Sequence, residues 1–129
     1  MFLLMNLFCF PGFSATSTVA NLMGYEAGEA APEFGWKGRV PLADGSPDAT
    51  EIDMKIGRVI VESKLTEADF TSRPQDVVTR YRDFDSVFDL PMLPQTETDY
   101  RGYQLVRNNL RAAAHGYVFT LVCDAAAPI

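Results

Sequence analysis

Polar and apolar positions alternate most sharply in EIDMKIG, where Ile52, Met54 and Ile56 point one way and Glu51, Asp53 and Lys55 the other. A period of two predicts a strand with one buried face. Gly57-Arg58 predicts a tight turn, and the unbroken run Val59-Ile60-Val61 in RVIVESKL predicts a second strand covered on both sides. So short a connection predicts that the two pair as an antiparallel hairpin. Upstream, residues 15–24 read as a short helix closed by Gly24. Residues 25–50 collect Gly28, Pro32, Gly35, Gly38, Pro41, Gly45 and Pro47, which predicts irregular chain with one short strand near Phe34–Val40. Downstream, Ser72 and Gln75 have capping-box spacing, with Pro74 tolerated in a first turn. Val77, Val78, Tyr81, Phe84 and Phe88 then recur at helical intervals until Pro91 and Pro94, which predicts one long helix. A last helix is expected over about Tyr100–His115, with Tyr103, Val106, Leu110 and Ala113 on its core face and Gly116 just past its end. YVFTLVCD is expected as a buried closing strand. The fold class is α/β, a mixed β-sheet with an antiparallel acidic hairpin flanked by helices.

Length and composition narrow this further. At 129 residues, 47% of them hydrophobic and 22% charged, the chain is expected to be one domain over 1–129 with its own core. A formal charge of −6 argues against a binder that grips nucleic acid by bulk positive charge, but not against an enzyme whose carboxylates hold a metal ion. Cys9 and Cys123 fit no zinc or redox spacing and read as buried free thiols. His115, the single histidine, reads as a dipole partner at a helix end. The opening MFLLMNLFCF has no Lys or Arg before Lys37, so a buried helix is favoured over a cleaved leader, and no membrane span is expected. A chain that opens in a core-like segment also points to a fragment of a longer protein.

The odd feature is Glu62 and Lys64 inside a strand that otherwise looks like core. Being two apart, they project from one face, and Asp53 lies on the polar side of the partner strand. Buried charges must pair or hold a metal. Convergent carboxylates suit a hard divalent cation such as Mg²⁺, which polarises a phosphoryl oxygen and acidifies a bound water. The pattern equally allows a cross-strand salt-bridge cluster on a solvated sheet face. A rival register, Asp44 with Asp53-Met54-Lys55, places its lysine beside the turn and its acid in Gly/Pro-rich chain. Gln104, Arg107 and Arg111 follow one face of the last helix and could orient a water and hold a phosphate, although a solvated amphipathic face is the favoured reading for Arg111. Trp36 and the Tyr81, Phe84 and Phe88 stripe read as core, and Asp83, Asp85 and Asp89 as a solvated helix face.

Asp53, eight residues, then Glu62-Ser63-Lys64 on a hairpin resembles the core of the PD-(D/E)XK nuclease superfamily. Gln104, Leu105, Arg107 and Asn108 resemble the Gln-bearing helix of a restriction-endonuclease-like family within it, and Asn6-Leu7-Phe8 resembles a segment of that family's N-terminal helix. Glu33, in PEFGW, stands where such proteins often carry an acid before the hairpin, though Glu26 and Glu29 also precede it. Residue 52 is Ile, so the Pro-Asp dipeptide that names the superfamily is absent. The resemblance implies a restriction-endonuclease-like core and a cytoplasmic, Mg²⁺-dependent endonuclease acting on DNA, with Mn²⁺ as a possible substitute. Asp53 and Glu62 would be metal ligands, with the Ser63 carbonyl and Glu33 as further candidates. Lys64 would act on the attacking water, Gln104 would position it, and Arg107 would hold phosphate. The acidic pI of about 4.6 implies that recognition comes from another segment, a homodimer partner or an additional protein. A non-catalytic nuclease-like module that binds nucleic acid or a protein is the alternative.

Overall fold

The structure, a computed structural model, describes residues 2–28, 31–64 and 72–123. Two short helices come first, α1 (Phe2–Phe8) and α2 (Ser17–Met23). The strands β1 (Glu33–Trp36), β2 (Val40–Pro41), β3 (Pro47–Asp48), β4 (Ile52–Ile56), β5 (Val59–Lys64) and β6 (Arg73–Pro74) follow. One-turn helices α3 (Gln75–Val78) and α4 (Phe84–Val87) lead through a 3₁₀ turn at Leu90–Met92 to β7 (Asp99–Tyr100). The chain continues with α5 (Tyr103–His115) and β8 (Val118–Cys123). Among the described residues the main sheet has the order β1-β4-β5-β8, antiparallel except for the parallel pair β5 and β8. Two two-stranded ribbons, β2-β3 and β6-β7, stand beside it. The fold is thus mixed α/β, with a mostly antiparallel, partly parallel sheet.

The hairpin forms as its pattern predicts. Ile56 pairs with Val59 across Gly57-Arg58, and Gly57 has φ +55°, the left-handed first position that a two-residue turn needs. Central β5 is covered on both sides. Val59 and Val61 pack with Met54, Ile56, Leu4, Phe8, Ala20 and Met23, so the apolar opening segment is a core helix here. Ile60 packs on the opposite side with Ala112 of α5. Ile52 departs from the expected alternation and joins Ile60 rather than Met54. Its β1 partner Trp36 does likewise while Phe34 packs with Met54, so the residues flanking Gly35 (φ +68°) face opposite sides.

The long helix expected from Ser72 does not form. Pro74 occupies the N-cap of α3 without a side-chain cap, and the chain leaves helical geometry after Val78. Its backbone groups are taken by the β2 region instead: Ala43 N–H donates to Arg80 C=O at 2.8 Å and Arg82 N–H to Pro41 C=O at 3.0 Å. Tyr81 and Phe84 are still core, joined by Val40, Val78, Tyr100, Tyr103, Val106 and Leu110, with Phe88 at the margin. The apolar stripe was real; the backbone beneath it pairs with a loop.

Other expectations need smaller corrections. α5 begins at Tyr103, because Tyr100 pairs with Arg73, and Ala112 rather than Ala113 faces the core. β8 is a half-buried edge strand among the described residues, with Val118 exposed. Cys9 is exposed and Cys123 half-buried, both as free thiols. His115 ends α5, hydrogen-bonded to the Arg39 carbonyl at 2.9 Å. Asp85 and Asp89 are exposed, while Asp83 pairs with Arg82 at 3.0 Å. No helix among the described residues is long and apolar enough to cross a membrane.

Candidate active site

Only Gly116 and Tyr117 separate α5 from β8, so the helix doubles back along the strand. Since β8 lies parallel to β5, the first turns of α5 lie toward the C-terminal end of β5, the end that carries Glu62 and Lys64. Glu62 follows Ile60 by two residues and shares the face covered by α5. Sheet and helix therefore bring the acidic hairpin and the Gln104–Arg111 face to one place.

At that end the β4-β5 ladder gives way to side chains. The last paired residues are Met54 and Val61. Beyond them the Asp53 N–H donates to Glu62 Oε2 at 3.3 Å, and Ser63 donates to Asp53 Oδ2 from its N–H at 3.0 Å and its Oγ at 3.1 Å. Each carboxylate thus satisfies backbone that the opposite strand no longer reaches. Asp53, Glu62, Ser63 and Lys64 are all half-buried, unlike residues of a solvated sheet face. Burial first, then the negative charge of Asp53, pushes the Glu62 carboxyl above its ordinary range. The Asp53 N–H and the charges of Lys64 and Arg107 oppose that rise.

Glu33 pairs elsewhere. It sits opposite Lys55, 4.0 Å from its ammonium, and Lys55 lies over the rings of Trp36 and Tyr117. Among the described residues no group of three or more His, Cys, Asp or Glu comes together as a metal cage, so Asp53 and Glu62 stand as a pair. Glu26 is exposed, and Glu29 lies outside the described residues. In the rival register, Asp44 is exposed in a turn, accepting from Ser46 at 2.9 Å and 2.6 Å, and Lys55 faces Glu33.

The helix side holds what the sequence pattern did not disclose. Arg111, expected on a solvated face, has 0% exposure and is among the largest fully buried side chains of the described residues. Its Nη1 donates to Asn108 Oδ1 at 3.3 Å, and Asn108 is itself buried. Burial, followed by the charge of Arg107, presses its pKa down; Asp48, Tyr81 and Glu62 hold it up. Behind it, the Tyr81 hydroxyl donates to Asp48 Oδ2 and lies 2.7 Å from the Tyr103 hydroxyl. Burial and these two partners raise Tyr81 far above a phenol's ordinary value. Asp48, although burial works the other way, is held low by the hydroxyls of Thr50 and Tyr81, the Thr50 N–H and the charge of Arg107. Arg107 lies over the Tyr103 ring, 5.4 Å from its centroid. Gln104 Oε1, Arg107 Nε and Arg111 Nε and Nη2 are buried without a hydrogen-bond partner among the described residues. The sequence signal for Asp48 and Arg111 was thin: one acid among turn-formers and one arginine on an amphipathic helix.

A family model described as Restriction Endonuclease associating with ARP matches residues 1–128. The chain belongs to this family. Membership makes it a nuclease-like module related to restriction endonucleases, as the hairpin and the Gln-bearing helix led one to expect. No curated protein and no solved structure gives a match.

Proposed function

We propose that the chain is a metal-dependent endonuclease-like domain of the PD-(D/E)XK type that hydrolyses phosphodiester bonds in DNA. The observation that carries this is the convergence of Asp53, Glu62 and Lys64, where the hairpin ladder ends, with the early turns of α5. The mixed sheet with its acidic hairpin between helices fits a restriction-endonuclease-like core.

Two adjacent half-buried carboxylates fit Mg²⁺ or Mn²⁺, because such ions take one or two carboxylates and keep several waters. Asp53 and Glu62 would hold the ion, with the Ser63 carbonyl as a further oxygen; Glu33 is engaged with Lys55. When bound, the ion supplies Lewis-acid polarisation of a phosphoryl oxygen and a more acidic water. Lys64 shares a face with Glu62 and stands where an ammonium orients the attacking water and neutralises developing charge. Gln104 Oε1, an acceptor without a donor, suits a water hydrogen. Arg107, whose charge reaches Glu62, suits the phosphate.

Supercoiled plasmid incubated with Mg²⁺ or Mn²⁺ should be nicked by the wild type and lose at least about 100-fold in rate with Lys64→Ala or Glu62→Ala. Nicking unchanged in both variants overturns the assignment. A second reading has support in the family description, which names an association with ARP, and in the charge of −6. In it the chain is a non-catalytic nuclease-like module whose partner supplies nucleic-acid contact. A wild type that does not cut under either metal, yet binds a partner, favours this reading.

A further inference from the structure

The orphaned polar atoms on α5 are of two chemical kinds. Among the described residues Gln104 Oε1 lacks a donor, whereas Arg107 Nε and Arg111 Nε and Nη2 are donors without an acceptor. In Arg111 the two orphans form one edge of the guanidinium. Nε and Nη2 lie side by side, in the geometry that grips two oxygens of a carboxylate or phosphate. The remaining nitrogen, Nη1, is tied to buried Asn108, which fixes the plane of the group. Arg107 and Arg111 are four residues apart, so they stack on one face about one helical turn from each other. Arg107 is half-buried and on the solvent side; Arg111 is fully enclosed.

None of the three orphaned donors is explained by folding alone. A buried donor without an acceptor destabilises the protein, and a buried cation with two of them does so more strongly. Among the described residues, the acids whose charge reaches Arg111 accept hydrogen bonds from other groups. Asp48 accepts from Tyr81 and Thr50, and Glu62 accepts from the Asp53 N–H. What the three donors lack, among the described residues, is an acceptor within hydrogen-bond distance, although the charges of Asp48 and Glu62 reach both guanidinium groups.

We propose that Arg107 and Arg111 form an oxyanion subsite on α5 that takes a phosphate group, with half-buried Arg107 as its outer contact and the Nε/Nη2 edge of Arg111, enclosed until the anion opens the site, as its inner one. This deepens the nuclease reading, on which it rests for the identity of the anion, and adds Arg111 to the binding machinery. Asn108 is a positioning residue that holds the Arg111 plane. Arg107 is stacked on Tyr103, whose hydroxyl is held through Tyr81 by Asp48.

The test uses the full chain in EDTA with inorganic phosphate as the probe and chloride holding ionic strength constant. Calorimetry should give saturable binding, and phosphate should raise Tm. Arg107→Gln and Arg111→Met should each weaken binding by about tenfold or more and abolish the Tm rise. Lys37→Gln, at an exposed residue paired with Glu51, should change neither. Should Arg111→Met fail to fold, Arg107→Gln and Asn108→Ala carry the comparison. Absence of saturable phosphate binding by the wild type, or undiminished binding in Arg107→Gln, overturns the subsite. Because neither metal nor DNA is present, a protein that binds phosphate but never nicks plasmid keeps the subsite and loses the nuclease reading. Nicking without phosphate binding gives the converse.

Discussion

Asp48 illustrates how much a single side chain can hold together here. It accepts from the Thr50 N–H at 3.2 Å, from the Thr50 hydroxyl and from Tyr81, whose hydroxyl also meets Tyr103. Asp48→Asn should therefore destabilise the protein by about 1–3 kcal/mol at neutral pH, since charged hydrogen bonds are lost and buried hydroxyls keep only a weaker acceptor. The pH dependence has a definite sign. The folded Asp48 carboxyl is depressed, so its contribution is complete above the unfolded value of about 3.9 and is lost as pH falls through the lower folded value. Urea unfolding at pH 6 and pH 3 should show a smaller acid-induced loss in Asp48→Asn than in wild type. Equal losses would show that Asp48 carries none of it.

Among the elements, α5 is the one that assembles the site, and its termination is the most sharply specified. Gly116 has φ +69°, and its N–H reaches the Ala112 and Ala113 carbonyls while Tyr117 N–H donates to Ala112 at 2.8 Å. A Cβ at Gly116 would meet only Arg58 Nη2, at an ordinary 3.8 Å, so Gly116→Ala should destabilise through backbone strain alone, by about 1–2 kcal/mol. A thermal melt reads this directly; an unchanged Tm would show that the helix end relaxes. This stop was legible in the sequence, as were the hairpin, its Gly57 turn and the α2 stop at Gly24, because local chemistry decides each of them. The segment from Ser72 to Phe88 was not legible. Its stripe has helical spacing, but Arg80 and Arg82 spend their backbone groups on Pro41 and Ala43, partners some forty residues away that no local pattern encodes. Of the site, the carboxylates and Lys64 could be read because charges in an apolar strand demand an explanation. Arg111 could not, since which face of α5 meets β5 depends on the crossover to β8. Asp48 was hidden for the same reason, its partner Tyr81 being 33 residues on.

Across the whole molecule, the sheet divides two apolar layers. α1 and α2 cover one side through Leu4, Phe8, Ala20 and Met23, and α5 covers the other near Ile60. The opening helix is therefore part of the fold's stability, although it lies on the side away from α5. Leu4→Ala should lower stability by about 2–5 kcal/mol, read by urea unfolding, since Leu4 is fully buried against β4 and β5. A change below about 0.5 kcal/mol would show α1 to be dispensable. The same layering leaves the C-terminal end of β5 as the place where charge enters the interior, from Asp53, Glu62 and Lys64 on the sheet and from Arg107 and Arg111 on the helix. On the proposed reading this end is a divalent-metal centre, which Mn²⁺ titration followed by calorimetry reads out. Wild type should bind about one Mn²⁺ per chain, as expected for one carboxylate pair. Asp53→Ala should lose that binding while keeping its fold by circular dichroism. Equal Mn²⁺ binding in the folded Asp53→Ala protein, or none in wild type, would refute the metal centre and leave Asp53, Glu62 and Lys64 as a half-buried ion-pair cluster.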